Sequence, residues 1–294
     1  MMRVFALALA CCAALSGIAS AQTLDRIAAT KTVRIGFIAD QAPFASKAAN
    51  GAPVGYAIEI CNRVVDEIGR RVPGLKPEYV QTALPDAFEA VAGGQIDLLC
   101  GAVTTTLGRR ELVDFSEPIF VTGASALLRR DAPRDLREFF LSERRISPPR
   151  SPELRPFAIS GVGVRSGTTT EEALRAAVLR EGYKIAVVGF PTHLDGLAAL
   201  ETREIDAYFA DRALLIGLLE KARDPAGLLV GTRLLTREPY GIALPRGDAE
   251  LRLLVDKALT NFYATSEFPV LLSEYFGEAA SAMQAQILAL SVPN

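Results

Sequence analysis

A single histidine and four cysteines stand in a chain of 294 residues. One histidine excludes a metal centre built from several imidazoles, and the paired Cys-x-x-Cys spacings of a zinc ribbon are missing. No metal and no cofactor is therefore expected. Charge of one sign is also lacking. The 32 basic and 34 acidic residues leave −2, and no run of like charge exceeds a few residues. That excludes the clustered phosphate contacts on which nucleic-acid affinity rests. No Gly-x-Ser-x-Gly elbow is present, so a serine triad using His193 lacks its nucleophile. What the chain has is apolar surface. Half its residues are hydrophobic, enough for one large domain or two of about 100–150 residues each.

The first residues have a separate purpose. Met1–Ala21 carries one basic residue, Arg3, then an apolar stretch from Val4, and ends in Ala19-Ser20-Ala21. Basic start, apolar middle and A-x-A ending make a cleavable secretory signal peptide over 1–21. Beyond it no apolar run approaches the roughly 18 residues that span a bilayer, so the mature chain is expected to be soluble. Cleavage removes Cys11 and Cys12. Cys61 and Cys100 remain in an oxidising compartment, where two cysteines more often bridge than stay free.

Strands and helices alternate along the rest. Val33–Ile38, Glu78–Gln81 and Ile96–Cys100 read as strands. Between them, Tyr56–Arg70 has its apolar residues at helical spacing, and Pro85–Ala92 is bounded by Pro85 and Gly93-Gly94. Gln41–Gly55 reads as loop, and Arg109–Val113 as a helical turn. Pro118–Arg129 reads as an extended segment able to leave this sheet. A proline-rich excursion covers about 142–157, with a short helix near Leu136–Leu141 before it. The pattern then restarts, with strands Gly161–Val164, Ile185–Phe190 and Ala207–Ala210, helices Thr169–Glu181, His193–Glu201 and Asp211–Lys221, and a strand-like Leu228–Thr232. Strand Tyr240–Leu244 and helices Glu250–Ala264 and Phe268–Phe276 close the chain. Strands joined by helices describe α/β units, here two, with a cleft between them. Residues 22–128 plus 238–294 form the first lobe and 129–237 the second.

In open α/β sheets ligands gather at the carboxyl ends of strands. Three segments stand there. Cys100–Ser116 combines small residues, threonines and Arg109, whose guanidinium suits a carboxylate. Val164–Glu171 follows a strand and opens a helix, so its N–H groups suit an anion, with N-capping by Thr168 or Thr169 as the plainer reading. Tyr208–Arg212 ends in Asp211, which suits an ammonium group or a helix N-cap.

These strings, with Ala42-Pro-Phe44, Val54-Gly-Tyr56, Asp97–Gly101, Asp114-Phe-Ser116, Ser166-Gly-Thr168, Ala210-Asp211, Tyr240–Pro245 and Glu274–Gly277, resemble the family 3 amino-acid-binding proteins of ABC transporters. The likeness runs over roughly 24–277 and is nearest to glutamate/aspartate-binding members. It implies a type II periplasmic-binding-protein fold. Each lobe would be a mixed, mainly parallel sheet flanked by helices, and two hinge strands would join them. It implies that Arg109 clamps a ligand α-carboxylate, helped by Ala102 and Thr104, and that Asp211 takes the α-ammonium. Residues of the Ser166–Thr169 segment, Thr168 and Thr169 among them, donate from the second lobe. Phe44 or Tyr56 packs on the ligand side chain, and His193 sits near it. One departure stands out. Acidic-ligand members carry an arginine where this chain has Ile38, and Arg110 and Arg165 are the candidate replacements. Partners are then a free amino acid and an inner-membrane permease, the protein is a periplasmic monomer, and no reaction is catalysed. The rival is a cyclohexadienyl or arogenate dehydratase on the same scaffold, with Glu171 or Glu172 as general acid.

Overall fold

The computed structural model describes residues 23–141, 161–182 and 184–293. The expected signal peptide at 1–21 and the expected excursion at about 142–157 lie outside the described residues. Two five-stranded sheets organise the molecule. In the first, Lys76–Gln81, Thr32–Phe37 and Leu98–Cys100 run parallel, Glu238–Pro245 pairs antiparallel beside them, and Val113–Thr122 closes the far edge. In the second, Ala186–Phe190, Gly161–Arg165 and Ala207–Asp211 run parallel, followed by antiparallel Ala124–Arg129 and then Leu228–Val230. Each sheet thus has a single strand running against the others. These two strands are the ones on which the chain enters the second lobe and returns to the first.

The crossing explains a glycine. Gly123 separates Val113–Thr122 in one sheet from Ala124–Arg129 in the other, and a Cβ on it would lie 2.1 Å from the Thr236 carbonyl oxygen. The two connections run against each other there. Ala124 N–H donates to Thr236 Oγ1 at 2.9 Å, and Leu235 N–H to the Ala124 carbonyl at 2.8 Å.

Strand alternation divides the core. Leu98 and Cys100 face the layer holding helix Tyr56–Arg71, which buries Ile60, Cys61, Val64 and Ile68 at helical spacing. Leu99 faces the opposite layer with Leu84, Ala87 and Val91 of helix Leu84–Ala92. Cys61 and Cys100 form a disulfide between that first helix and the end of the third strand, with Cα atoms 6.4 Å apart.

Several elements differ from the sequence reading. The region 41–55 is not all loop, because Asp40–Gln41, Ala45–Lys47 and Pro53–Val54 make a small antiparallel sheet. The helical turn lies at Leu107–Arg110, not Arg109–Val113. Thr106 caps it by accepting from Arg109 N–H at 3.1 Å, and Val113 already belongs to the next strand. Helices Thr23–Thr30 and Ala280–Leu288 had no counterpart in that reading. No helix among the described residues is long and apolar enough to cross a membrane.

Candidate functional site

A cleft between the sheets encloses about 390 Å³ of unfilled space, counting its mouth. Ala102, Thr104 and Arg109 line it from the first lobe, and Arg165, Thr168, Thr169, His193 and Asp211 from the second. Eight of the expected ligand contacts therefore share one space. Phe44 and Tyr56 do not. Both are fully buried in an aromatic cluster, where Phe44 lies 4.8 Å from Phe120 and 5.1 Å from Tyr240, and the Tyr56 hydroxyl donates to the Ile119 carbonyl at 2.8 Å. They hold the first lobe together under the cleft, and Gln41, Leu84 and Leu214 supply wall in their place.

Arg109 is held on two sides. Its Nη1 donates to the Thr104 carbonyl at 2.7 Å, and the guanidinium lies over the Phe88 ring at 4.6 Å. Burial lowers its pKa, and Glu172, Glu238 and Asp211 push back. Gln41 brackets the same loop, accepting from Ala102 N–H at 3.0 Å and donating to the Ala102 carbonyl at 3.4 Å.

Asp211 ends its strand just before helix Arg212–Leu219, yet its carboxylate does not cap that helix. The carboxylate accepts from the Tyr240 hydroxyl and, at 3.5 Å, from Thr170 Oγ1. Burial first, then the neighbouring Glu238, push its carboxyl up to about 7. Glu238 was absent from the sequence reading. It is buried on the returning hinge strand and accepts from Thr169 Oγ1 at 3.1 Å. Thr168 is the N-cap of helix Thr169–Glu181, accepting from Glu171 N–H at 3.1 Å, as the plainer reading had it.

His193 opens helix His193–Glu201 and is buried, with Nδ1 2.9 Å from the Tyr208 hydroxyl. Gly196 makes that contact possible, since a Cβ there would fall 2.0 Å from the Tyr208 ring. Burial, with Arg165 beside it, pulls the imidazole down to about 3, so it is neutral near pH 7. Of the two candidate arginines, Arg110 is exposed at the surface and Arg165 lines the cleft. Ile38 is a core residue packed in the cluster with Leu84.

Not every matched string is site. Asp97 is pinned by Arg26 and by Arg34 Nη2 at 2.9 Å, Asp114 accepts from Gly247 N–H at 2.9 Å, and Ser116 Oγ accepts from Ile242 N–H at 3.0 Å. These residues fasten strands behind the cleft. Asp40 and Glu238, by contrast, hold residues of the cleft wall, Asp40 pairing with Arg165 at 3.0 Å and Glu238 with Thr169, and as isolated acids nothing local in the sequence marked them.

The L-glutamate/L-aspartate-binding protein of Pseudomonas aeruginosa is 28% identical over 257 residues, 86% of this chain and 80% of that protein. The L-arginine-binding protein of Pseudomonas aeruginosa is 25% identical over 262 residues, 87% of this chain and 92% of that protein. Among solved structures, an ancestral amino acid-binding protein described as a precursor of cyclohexadienyl dehydratase has a TM-score of 0.70 at 25% identity, over 87% of this chain and 100% of that one. A family model of bacterial extracellular solute-binding proteins, family 3, matches residues 33–278. With one family model spanning both sheets and both crossings, the chain belongs to the bacterial extracellular solute-binding proteins, family 3.

Proposed function

We propose that this protein captures a free L-amino acid in the periplasm, acidic or polar, with glutamate and aspartate first, and presents it to an inner-membrane ABC permease. One observation carries the reading. A guanidinium from one lobe, Arg109, and a carboxylate from the other, Asp211, face a single cleft closely enough to shift each other's titration. A zwitterionic head fits that pair, carboxylate to Arg109 and ammonium to Asp211, with Thr104 and Thr169 alongside. Because each end of the head belongs to a different lobe, the ligand stabilises the closed arrangement, the form a permease reads. The lobes are taken to be 22–128 plus 238–294 and 129–237, working as a monomer. The glutamate/aspartate-binding relative supports the ligand class. The leader at 1–21 and the Cys61–Cys100 bridge support the compartment.

The dehydratase alternative is prompted by the structural relative described as a precursor of cyclohexadienyl dehydratase, itself an amino acid-binding protein. Of the alternative's candidate acids, Glu171 is engaged by Arg175 at 2.8 Å and by Gly167 N–H at 2.8 Å, which leaves Glu172, near enough to Arg109 to raise its pKa, as the acid to test. Binding without turnover is expected.

A thermal-shift screen of the amino acids identifies the ligand, since binding stabilises by mass action. Calorimetry on Arg109→Ala then tests the site. Loss of a buried charge partner is expected to weaken binding by about 3–5 kcal/mol. Unchanged affinity refutes the site, and consumption of prephenate or arogenate by the purified protein refutes the assignment as a binding protein.

A further inference from the structure

Arg165 is a second cation of the cleft and, unlike the half-buried Arg109, is buried. Its side chain is 7% exposed, and Nη2 lies 3.0 Å from Asp40 Oδ1. Nε reaches the Pro191 carbonyl at 3.4 Å, and Nη1 is buried with no hydrogen-bond partner among the described residues. A buried donor left unpaired is costly, and of the arginines with such a nitrogen among the described residues Arg165 is the one that lines the cleft, where a ligand oxygen can pair it. Asp40 comes from the other lobe, in the short strand Asp40–Gln41. Its second oxygen accepts from His193 N–H, 3.4 Å away at the start of helix His193–Glu201. The imidazole beside them faces the Tyr208 hydroxyl. Arg165 and Asp40 thus offset each other's charge across the lobes, and one guanidinium edge stays unused.

We propose that Asp40 is a specificity-determining residue. By holding one edge of Arg165, it shapes a subsite for amino-acid side chains that end in an oxygen acceptor, carboxylate or amide, and it weakens the preference for the carboxylate. The inference rests on the binding reading above and refines it. A side-chain carboxylate at Nη1 gains a charge-assisted bond but lies near the Asp40 carboxylate, a like charge. An amide oxygen gains a weaker bond and meets no repulsion. A basic side chain brings donors and a positive charge to a donor that is already positive.

The test is calorimetric titration of the full chain with L-glutamate, L-glutamine and L-arginine, using the wild type, Asp40→Asn, Asp40→Ser and Arg165→Gln. Both Asp40 variants are expected to raise the glutamate-to-glutamine affinity ratio by about tenfold or more. Losing the cross-lobe tie affects both ligands alike and cancels in the ratio. Arg165→Gln is expected to weaken both ligands by at least about tenfold. A ratio unchanged within about twofold in both Asp40 variants overturns the proposal. So does a wild type that prefers L-arginine. If glutamate binds but the ratio stays fixed, only this inference fails. If no amino acid binds the wild type, the binding reading fails and this one falls with it.

Discussion

At Asp211 the free protein holds a carboxyl pushed up to about 7 by burial and by Glu238. A ligand ammonium beside it favours the ionised form and lowers that value. Binding at about pH 6.5 should therefore release more than about half a proton per ligand. Titrations in two buffers of unlike ionisation enthalpy measure that count. It should fade as the pH rises past about 8 and vanish in Asp211→Asn. A count of zero at about pH 6.5 in the wild type sinks the assignment of Asp211 to the ammonium. Arg109 was legible as a cleft residue because it follows a strand among small and hydroxyl residues, a local signal, whereas Asp211 alone read as a helix N-cap and only the family resemblance gave it the ammonium. Asp40 and Glu238 were not legible, because their meaning depends on partners far along the chain. Glu238 meets Thr169 69 residues away, and Asp40 meets the His193 amide 153 residues away. Phe44 and Tyr56 show the opposite difficulty. An aromatic beside a cleft loop has the same sequence whether its ring faces the ligand or, as here, packs against Phe120.

Among the elements, those with a continuous or periodic apolar pattern were read nearly to the residue. Helix Thr169–Glu181 has the expected bounds, and Tyr56–Arg71 ends one residue later than expected. What escaped was short or sparsely apolar. Pro43, Gly51 and Pro53 hid three strands of two or three residues, and helix Thr23–Thr30 buries only Ile27. The disulfide is an element-scale device, tying helix Tyr56–Arg71 to the strand that leads directly into Gly101 and Ala102. It closes a loop spanning 39 residues, worth about 4 kcal/mol through the entropy of the unfolded chain. Urea unfolding with and without reductant should show a loss of that order, and so should Cys61→Ser with Cys100→Ser. An unmoved midpoint after complete reduction, verified by thiol titration, would contradict the structural role.

For the molecule as a whole, two buried groups make opposite demands on pH, and both sit where the lobes touch. His193 stays neutral down to about 3 in the folded chain, whereas its unfolded value is 6.5. Below 6.5 the unfolded chain takes up a proton that the folded one refuses, so this residue costs stability as the pH falls towards 3. Asp211 behaves in reverse. The folded chain keeps its proton up to about 7, and the unfolded chain releases it above 3.8, so stability is lost as the pH rises from about 4 to 7. Each contributes a slope of about 1.4 kcal/mol per pH unit, with opposite sign, and between about 4 and 6.5 the two cancel. Single substitutions should uncover the hidden slopes. Relative to the wild type, His193→Gln should lose stability with rising pH across that window, and Asp211→Asn should gain it. Urea unfolding at three pH values between about 4.5 and 6.5 measures both differences, and curves parallel to the wild type in both variants would refute the compensation. The His193 amide reaches Asp40 of the first lobe, and Asp211 reaches Tyr240 on the returning hinge strand. For ligand affinity the Asp211 term has the opposite sign, because the bound ammonium draws its proton off: wild-type affinity should rise with pH across the same window, and Asp211→Asn should flatten that rise.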